Sequence, residues 1–273
     1  RSVRGGDRER HSAQGVTMRG RGREDNRRKP GTAGTLTMLD YAYRSTLVVI
    51  PAYNAARTLG RVLEQIREVS PHLAALVVDD GSTDRTSAVA EIGKASVVRH
   101  ERNMGKGEAL RTGFTEFLKR GFKAVITLDA DGQHSPAEIP KLMETWLNER
   151  ADIVIGTRRR EVGTMPLVRI FTNAVSSWLV SLSAGQRIPD SQSGYRLIAR
   201  SVIENVQTQS CGYGAESEIL IKAAIAGYSI ASAPIATVYG NETSYIHPLK
   251  EPVLFLGLIF KSLFWRWQRI GKG

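Results

Sequence analysis

The sequence predicts an α/β fold, a mostly parallel sheet flanked by helices and followed by an amphipathic C-terminal helix. Three observations carry this. From residue 46 to about 158, short β-branched runs alternate with amphipathic stretches, as strand–helix units do. Polar residues collect where those strands end: Asn54, Asp79 and Asp80, Asp129 and Asp131, and Arg158. Ligands sit at the carboxyl ends of strands in such sheets. Finally, the 273 residues are 41% hydrophobic and 24% charged with a single cysteine. That suits a sizeable core and excludes an intrachain disulfide framework or a cysteine-based zinc site.

Each element follows from its local pattern. Residues 46–50 read as a strand stopped by Pro51. Residues 58–69 place Leu59, Val62, Leu63, Ile66 and Val69 at helical spacing. Residues 76–78 form a second strand, running into Asp79-Asp80-Gly81-Ser82. A helix from 84 to about 92 and a strand over 96–99 follow. Next come a helix over 107–120, a strand over 123–128 that meets Asp129, and a helix over 136–149 with proline near its start. Residues 152–155 are the next strand. Beyond 166 the alternation loosens into a long apolar helix at 167–184, a polar loop at 190–196 and a short strand at 197–198. A helix at 215–226, a strand at 230–238 and a polar loop at 239–250 complete the body.

The formal net charge is +11, and residues 1–37 hold ten Lys/Arg against four acids. This stretch has too few large apolar residues to offset ordering entropy, so a disordered basic tail is expected. It lacks the interleaved aromatics of a nucleic-acid arm, and no nucleic-acid partner is expected. No apolar run reaches the roughly 20 residues of a membrane span. The segment 253–267 combines Phe255, Phe260, Phe264, Trp265 and Trp267 with basic residues. It suits a helix lying in a membrane interface, or one packed on the chain's own core.

The strongest chemical signal is Leu128-Asp129-Ala130-Asp131-Gly132-Gln133-His134. Carboxylates two apart on extended backbone share a side, an oxygen-rich site suited to Mg²⁺ or Mn²⁺. In Val78-Asp79-Asp80-Gly81-Ser82-Thr83-Asp84, adjacent acids repel, so one needs a hydrogen-bonding or cationic partner; Asp80 could accept from a nucleobase edge or ribose, whereas Asp84 or Thr83 could cap the next helix, a role that suits Asp84 well. Asn103-Met104-Gly105-Lys106-Gly107 opens a helix and fails both phosphate-loop patterns; a fold-supporting turn and a ligand contact through Lys106 both remain open. Gly156-Thr157-Arg158-Arg159-Arg160 suits phosphate oxygens. Asp190-Ser191-Gln192-Ser193-Gly194-Tyr195-Arg196 carries an acid and an arginine, and Glu216 and Glu218 open a helix. His72, His100 and His247 read as surface residues, and no hydrolase elbow or histidine metal pair is present.

Taken in order, VVIPAYN, VVDDGSTD, NMGKGEAL, LDADGQHSP, IVIGTR and DSQSGYR resemble the inverting family 2 glycosyltransferases of GT-A fold. Within it, D-A-D-x-Q-H together with G-T-R and S-G-Y-R resembles the branch of dolichol-phosphate mannose synthases and polyprenyl-phosphate glycosyltransferases. The resemblance implies a Rossmann-like GT-A domain over 45–250, between the basic tail, 1–44, and the membrane-interfacial helix, 251–273, that composition and patterning suggest. It implies that Pro51, Tyr53, Val78 and Asp80 line the nucleotide. Asp129, Ala130, Asp131 and Gln133 would surround the metal and pyrophosphate, with Asp129, Asp131 and Gln133 as ligands. Arg158 would meet phosphate, Arg169 would help hold a lipid phosphate, and Arg196 and Glu218 would support them. Three departures stand out. Ala55 replaces a frequent Glu. Thr237 and Ser244-Tyr245 stand where mannose synthases carry two cations, with His247 or Lys250 as substitutes. The C-terminal membrane spans of some members are missing.

The expected activity is metal-dependent transfer of a hexose from GDP-mannose or a UDP-hexose to a polyprenyl or dolichyl phosphate. The protein would lie on the cytoplasmic face of a membrane. A lipid phosphate needs no strong base, whereas a sugar hydroxyl acceptor, the alternative, would need one, with Asp190 as the candidate. A nucleotidyltransferase would want a glycine- and arginine-rich loop where this chain reads Pro51-Ala52-Tyr53-Asn54.

Overall fold

The structure, a computed structural model, describes residues 37–158, 167–208, 214–236, 255–262 and 265, with backbone alone for 167–171. Seven strands form one sheet in the order β3-β2-β1-β4-β6-β5-β7. In chain order they are β1 (Thr46–Ala52), β2 (Ala74–Asp79), β3 (Ser96–Arg99), β4 (Ala124–Thr127), β5 (Ile153–Arg158), β6 (Arg196–Ala199) and β7 (Ile230–Ile235). All pairings are parallel except those of β6, which runs antiparallel between β4 and β5. That reversal matters for the site. It brings Arg196, the first residue of β6, opposite Thr127 and Ile155, so the preceding loop arrives at the edge where the parallel strands end.

The helices are α1 (Met38–Arg44), α2 (Ala56–Val69), α3 (Thr86–Ile92), α4 (Lys106–Arg120), α5 (Ile139–Glu149), α6 (Leu167–Ala184), α7 (Arg200–Asn205) and α8 (Gly214–Ala226). Strand alternation divides the core between the two faces of the sheet. Val48 and Ile50 pack with Leu59, Leu63 and Ile66 of α2 and with Leu142 of α5. Leu47 and Val49 pack with Ala109 and Phe117 of α4, Val180 of α6 and Leu220 of α8.

Two expectations change. Pro51 does not stop the first strand, which runs to Ala52 with Pro51 opposite Val78. In a parallel ladder a residue's N–H and C=O point to one neighbour. Val49 faces β4, where its carbonyl accepts from Leu128, and Ala52 faces β2, where it accepts from Asp80. Pro51 therefore faces the β4 side, beyond the last pair Val49–Thr127, and its missing N–H breaks no bond. The tail boundary at 44 also moves. Met38–Arg44 is helical, closed by a capping box between Thr37 and Asp40, with Ala42 and Tyr43 buried. The basic stretch 1–36 lies outside the described residues.

At the C-terminal end, residues 255–262 are helical. Leu258 and Ile259 join the core around Val180, while Leu256 and Phe260 are 49% and 72% exposed. The segment is thus packed on its own core along one side and apolar on the other. No helix among the described residues is long and apolar enough to cross a membrane.

Candidate active site

The loops after β1 and β2 are stapled into one rim. Asn54 N–H donates to Ser82 Oγ at 2.9 Å, and Thr83 N–H donates back to Asn54 Oδ1 at 2.9 Å. Ala56 N–H donates to Asp84 Oδ2 at 3.1 Å, while the other oxygen of Asp84 accepts from Thr86 N–H. One carboxylate thereby serves the first turns of α2 and α3, the capping role expected of it.

The adjacent acids do find partners. Asp79 accepts from Ser82 N–H at 2.8 Å and from the Ser87 hydroxyl. Asp80 accepts from Met104 N–H at 2.9 Å and Gly105 N–H at 2.7 Å, and bonds His100 Nδ1 at 2.7 Å. Asp80 was expected as a nucleotide contact; here its two oxygens already serve three groups of the chain, and any nucleotide must share them. His100 is correspondingly no surface residue, because its Nε2 also meets Thr112 Oγ1 at 2.9 Å. Gly81 permits this docking. Its φ is +72°, and a Cβ there would lie 2.4 Å from the carbonyl carbon of Arg102. Val78, also expected to line the nucleotide, is 0% exposed and packs under α4 with Ala109 and Phe117. Its side chain is core. Tyr53, 41% exposed, and the half-buried Pro51 do lie on the rim.

Beneath the rim is a charged knot. Lys106, the first residue of α4, places Nζ 2.7 Å from Asp129 Oδ1 and 3.1 Å from Glu216 Oε1. Burial disfavours the ammonium, but the two carboxylates outweigh it and raise the Lys106 pKa. Asp129 is likewise opposed by burial yet lowered by Lys106. Gly194 makes room for the knot. A Cβ there would come within 2.9 Å of Asp129 Oδ2 and Glu216 Oε1 and 3.1 Å of Lys106 Nζ. Its carbonyl is fixed by the Thr127 hydroxyl at 2.7 Å.

Further along the same loop, the Ala130 carbonyl accepts from the Thr58 hydroxyl at 2.6 Å. Asp131 Oδ1 accepts from Gln133 N–H at 2.9 Å. His134 is 5% exposed, tilted against Tyr195 with 5.6 Å between ring centroids.

On the far side, Arg158 at the end of β5 grips Asp190 through two hydrogen bonds, Nε to Oδ2 at 2.8 Å and Nη2 to Oδ1 at 2.9 Å. Burial raises the Asp190 pKa, but the guanidinium outweighs it and the net direction is down. Arg196 is corrected by the structure. Expected to support phosphate, it is 1% exposed and donates to the carbonyls of Ser191 at 2.8 Å and Ser193 at 2.7 Å, and to that of Glu216. It ties the 190–196 loop to α8. Glu218 also faces away from the knot, pairing with Lys222 at 2.6 Å. Glu216, which a helix-dipole placement alone would explain, is the acid that reaches Lys106. Only its spacing from Glu218, half a helical turn apart, distinguished the two in sequence. Arg159, Arg160, Thr237, Ser244, Tyr245, His247 and Lys250 lie outside the described residues. So does the side chain of Arg169, whose backbone falls within α6.

The donor set fits a hard divalent cation. Two carboxylates, Asp129 and Asp131, and the amide of Gln133 offer oxygen in the loop that follows β4. No cluster of three or more His, Cys, Asp or Glu capable of holding a metal occurs among the described residues.

The Glycosyl transferase family 2 profile matches residues 47–206. The chain belongs to this family. Among its family 2 relatives, the polyprenol monophosphomannose synthase of Mycolicibacterium smegmatis is 31% identical over 202 residues, covering 70% of this chain and 76% of the relative. The UDP-N-acetylglucosamine–dolichyl-phosphate N-acetylglucosaminyltransferase of Methanococcus voltae is 30% identical over 214 residues, covering 70% and 85%. In three dimensions, the chain resembles glucosyl-3-phosphoglycerate synthase from Mycobacterium tuberculosis, crystallised with Mn²⁺, UDP and glucosyl-3-phosphoglycerate. The TM-score is 0.64 at 24% identity, covering 87% of this chain and 85% of the other. The GT-A fold expected from the sequence is therefore present. The protein is a family 2 glycosyltransferase, and the knot, the Arg158–Asp190 pair and the stapled rim all lie at the carboxyl edge of its GT-A sheet.

Proposed function

We infer that this family 2 enzyme moves a hexose from a nucleotide-sugar to a polyprenyl or dolichyl phosphate at a membrane surface, inverting the anomeric carbon. The observation that carries the acceptor choice is the Arg158–Asp190 pair. Asp190 is the carboxylate placed to act as base on a sugar hydroxyl, yet it is held bidentately at 2.8 and 2.9 Å with its basicity lowered. A lipid phosphate is anionic at neutral pH and asks for no proton abstraction. It asks for a cation, which Arg158 supplies by sharing its fork between Asp190 and the incoming phosphate. Relatives named for polyprenol- and dolichyl-phosphate products support the same acceptor class.

On the donor side, Tyr53 and Pro51 flank the nucleotide on the rim. Asp80 holds the 102–105 loop that starts α4, and through it places Lys106. Lys106 holds Asp129 in its ionised form beneath the leaving diphosphate. Asp131, with Asp129 and Gln133, would hold Mg²⁺ or Mn²⁺, the ions named with solved structures of this fold. Bound there, the ion supplies Lewis-acid stabilisation of the leaving diphosphate. Membrane contact would fall to the exposed apolar residues of α6, Val175, Trp178 and Leu182, and to Leu256 and Phe260, in an enzyme that we place at the periphery of the membrane, on its cytoplasmic face. The second reading, transfer to a glycan hydroxyl, would require Asp190 to leave Arg158.

The test is transfer of radiolabel from GDP-mannose, UDP-glucose and UDP-N-acetylglucosamine to polyprenyl phosphate, with and without EDTA. Lipid-linked product from one donor, lost with EDTA and restored by Mn²⁺ or Mg²⁺, is expected. Transfer to a sugar acceptor with no lipid product from any donor would sink the lipid-phosphate reading.

A further inference from the structure

A threonine inside a helix ordinarily returns its hydroxyl to its own helix. Thr115 in α4 and Thr145 in α5 do so, donating to the carbonyls four residues back, Arg111 at 2.9 Å and Lys141 at 2.8 Å. Thr58 in α2 does not. The Ala55 carbonyl, three residues back, lies 3.3 Å from its Oγ1, while the carbonyl of Ala130, in the loop after β4, lies at 2.6 Å. A hydroxyl has one proton to give, and only the second distance falls in the ordinary range for an O–H donor. The bond therefore leaves α2 and ends on the backbone between Asp129 and Asp131.

That loop is held at three points. Lys106 holds the carboxylate of Asp129 at 2.7 Å, Gln133 N–H holds that of Asp131 at 2.9 Å, and Thr58 holds the main chain between them. The peptide unit is planar, so fixing the Ala130 carbonyl also fixes the N–H of Asp131 and the direction in which its Cα leaves. The anchor is itself tied down. Ala55 N–H donates to Thr86 Oγ1 at 2.8 Å and Ala56 N–H to Asp84 Oδ2 at 3.1 Å, which joins the first turn of α2 to α3 before Thr58 reaches across. We propose that Thr58 is a positioning residue for the divalent cation: through the Ala130 carbonyl, its hydroxyl sets the placement of the Asp129 and Asp131 carboxylates relative to each other. Groups that orient metal ligands from behind change affinity by about 10- to 100-fold when removed. The inference rests on the metal part of the proposed function and is independent of the donor sugar and the acceptor.

The experiment titrates the full-length chain with Mn²⁺ alone and follows the free ion by electron paramagnetic resonance. Thr58→Val keeps the shape and removes the donor; it should weaken Mn²⁺ binding about tenfold. Thr58→Ser keeps the donor and should bind within about threefold of wild type. Thr58→Ala should bind as weakly as the valine variant, so the Ser–Ala contrast decides the matter even if the valine variant does not fold. Urea midpoints are measured alongside, because a hydroxyl that only supports the fold would lower the midpoint and leave Mn²⁺ affinity unchanged. Affinity within about twofold of wild type in Thr58→Val and Thr58→Ala overturns the proposal in favour of that structural role. Loss in Thr58→Ser equal to the loss in Thr58→Ala overturns it too, since the hydroxyl would not be the cause. Weakened binding in Asp131→Ala beside unchanged binding in the Thr58 variants would sink this inference and leave the metal reading standing. Wild-type protein that binds no Mn²⁺ overturns both.

Discussion

Lys106 Nζ lies 2.7 Å from Asp129 Oδ1, so the first acid of the Asp-x-Asp loop is neutralised from within the chain by the first residue of α4. Glu216 completes the arrangement from α8 at 3.1 Å. Removing the ammonium leaves two carboxylates facing each other in a cradle with no side chain at Gly194. Breaking a fully buried pair costs about 3–5 kcal/mol, and the 21% exposure of Lys106 reduces this to about 2–3 kcal/mol. Lys106→Met should lower urea-unfolding stability by that amount and transfer activity by about 100-fold. Unchanged stability would mean that Asp129 and Glu216 do not depend on Lys106.

The Arg158–Asp190 pair gives a pH signature. The folded-state pKa of Asp190 is lowered, below an unfolded value near 3.9. The native state then binds fewer protons than the unfolded chain, so stability rises with pH. The contribution is fully present above about pH 4 and is lost as pH falls through the folded value. Urea titrations of wild type and Asp190→Asn should differ by about 1–3 kcal/mol at pH 7 and converge as pH falls below the lowered folded-state pKa of Asp190. A gap that persists in acid would show that the pair is not the source.

Much of the site was legible because strand ends announce themselves. Asp129, Asp131 and Arg158 stand at the ends of apolar runs, and Asp190 stands in the polar loop that β6, by running antiparallel, brings to the same edge. Direction and depth were not legible. Arg196 and Val78 read as ligand contacts, yet one is bound by three backbone carbonyls and the other lies under α4. Motif spacing says which residues are near an edge, while the neighbouring helix decides which of them face it. Glu216 and Thr58 needed the tertiary structure, since an acid at a helix start and a threonine inside a helix have ordinary local explanations. Gly194 was the same kind of case: its reason is three side chains from three separate elements.

Asp131 separates metal binding from the knot. Asp131→Ala should abolish recovery of activity by added Mn²⁺ after EDTA treatment, because Asp129 is already occupied by Lys106. The same variant should unfold within about 0.5 kcal/mol of wild type, since Asp131 is only partly buried. Manganese binding followed by electron paramagnetic resonance would check the metal directly, and unchanged affinity would remove Asp131 from the ligand set.

Gly113 tests the packing of α4 on the sheet. A Cβ there would lie 2.3 Å from Val49 Cγ1, and Val49 is wholly buried and stiff at χ1. Gly113→Ala gains about 1 kcal/mol of helix propensity but forces an overlap worth about 1–3 kcal/mol. A net loss of stability is expected, read from the urea midpoint. Val49→Ala in the same chain should relieve the overlap, so the double variant should be more stable than the two single losses added together.

The last prediction concerns how the enzyme reaches a lipid. Trp178 and Leu182 are 64% and 55% exposed on α6, with Val175 at 39%; spacings of three and four place them on one helical face. Leu258 and Ile259 share a core with Val180, which sets the exposed Phe260 on a neighbouring element. Full burial of a large apolar side chain is worth about 1.5–3 kcal/mol, so even partial insertion of two such residues amounts to more than tenfold in partitioning. Trp178→Glu with Leu182→Glu should weaken binding to phosphatidylglycerol-rich vesicles by at least that factor in flotation assays. Transfer to a short-chain prenyl phosphate dissolved in detergent should be retained, because that acceptor needs no insertion into a bilayer. Equal vesicle binding by wild type and variant would rule this face out as the membrane contact. Equal loss on the short-chain acceptor would instead place these residues in acceptor binding.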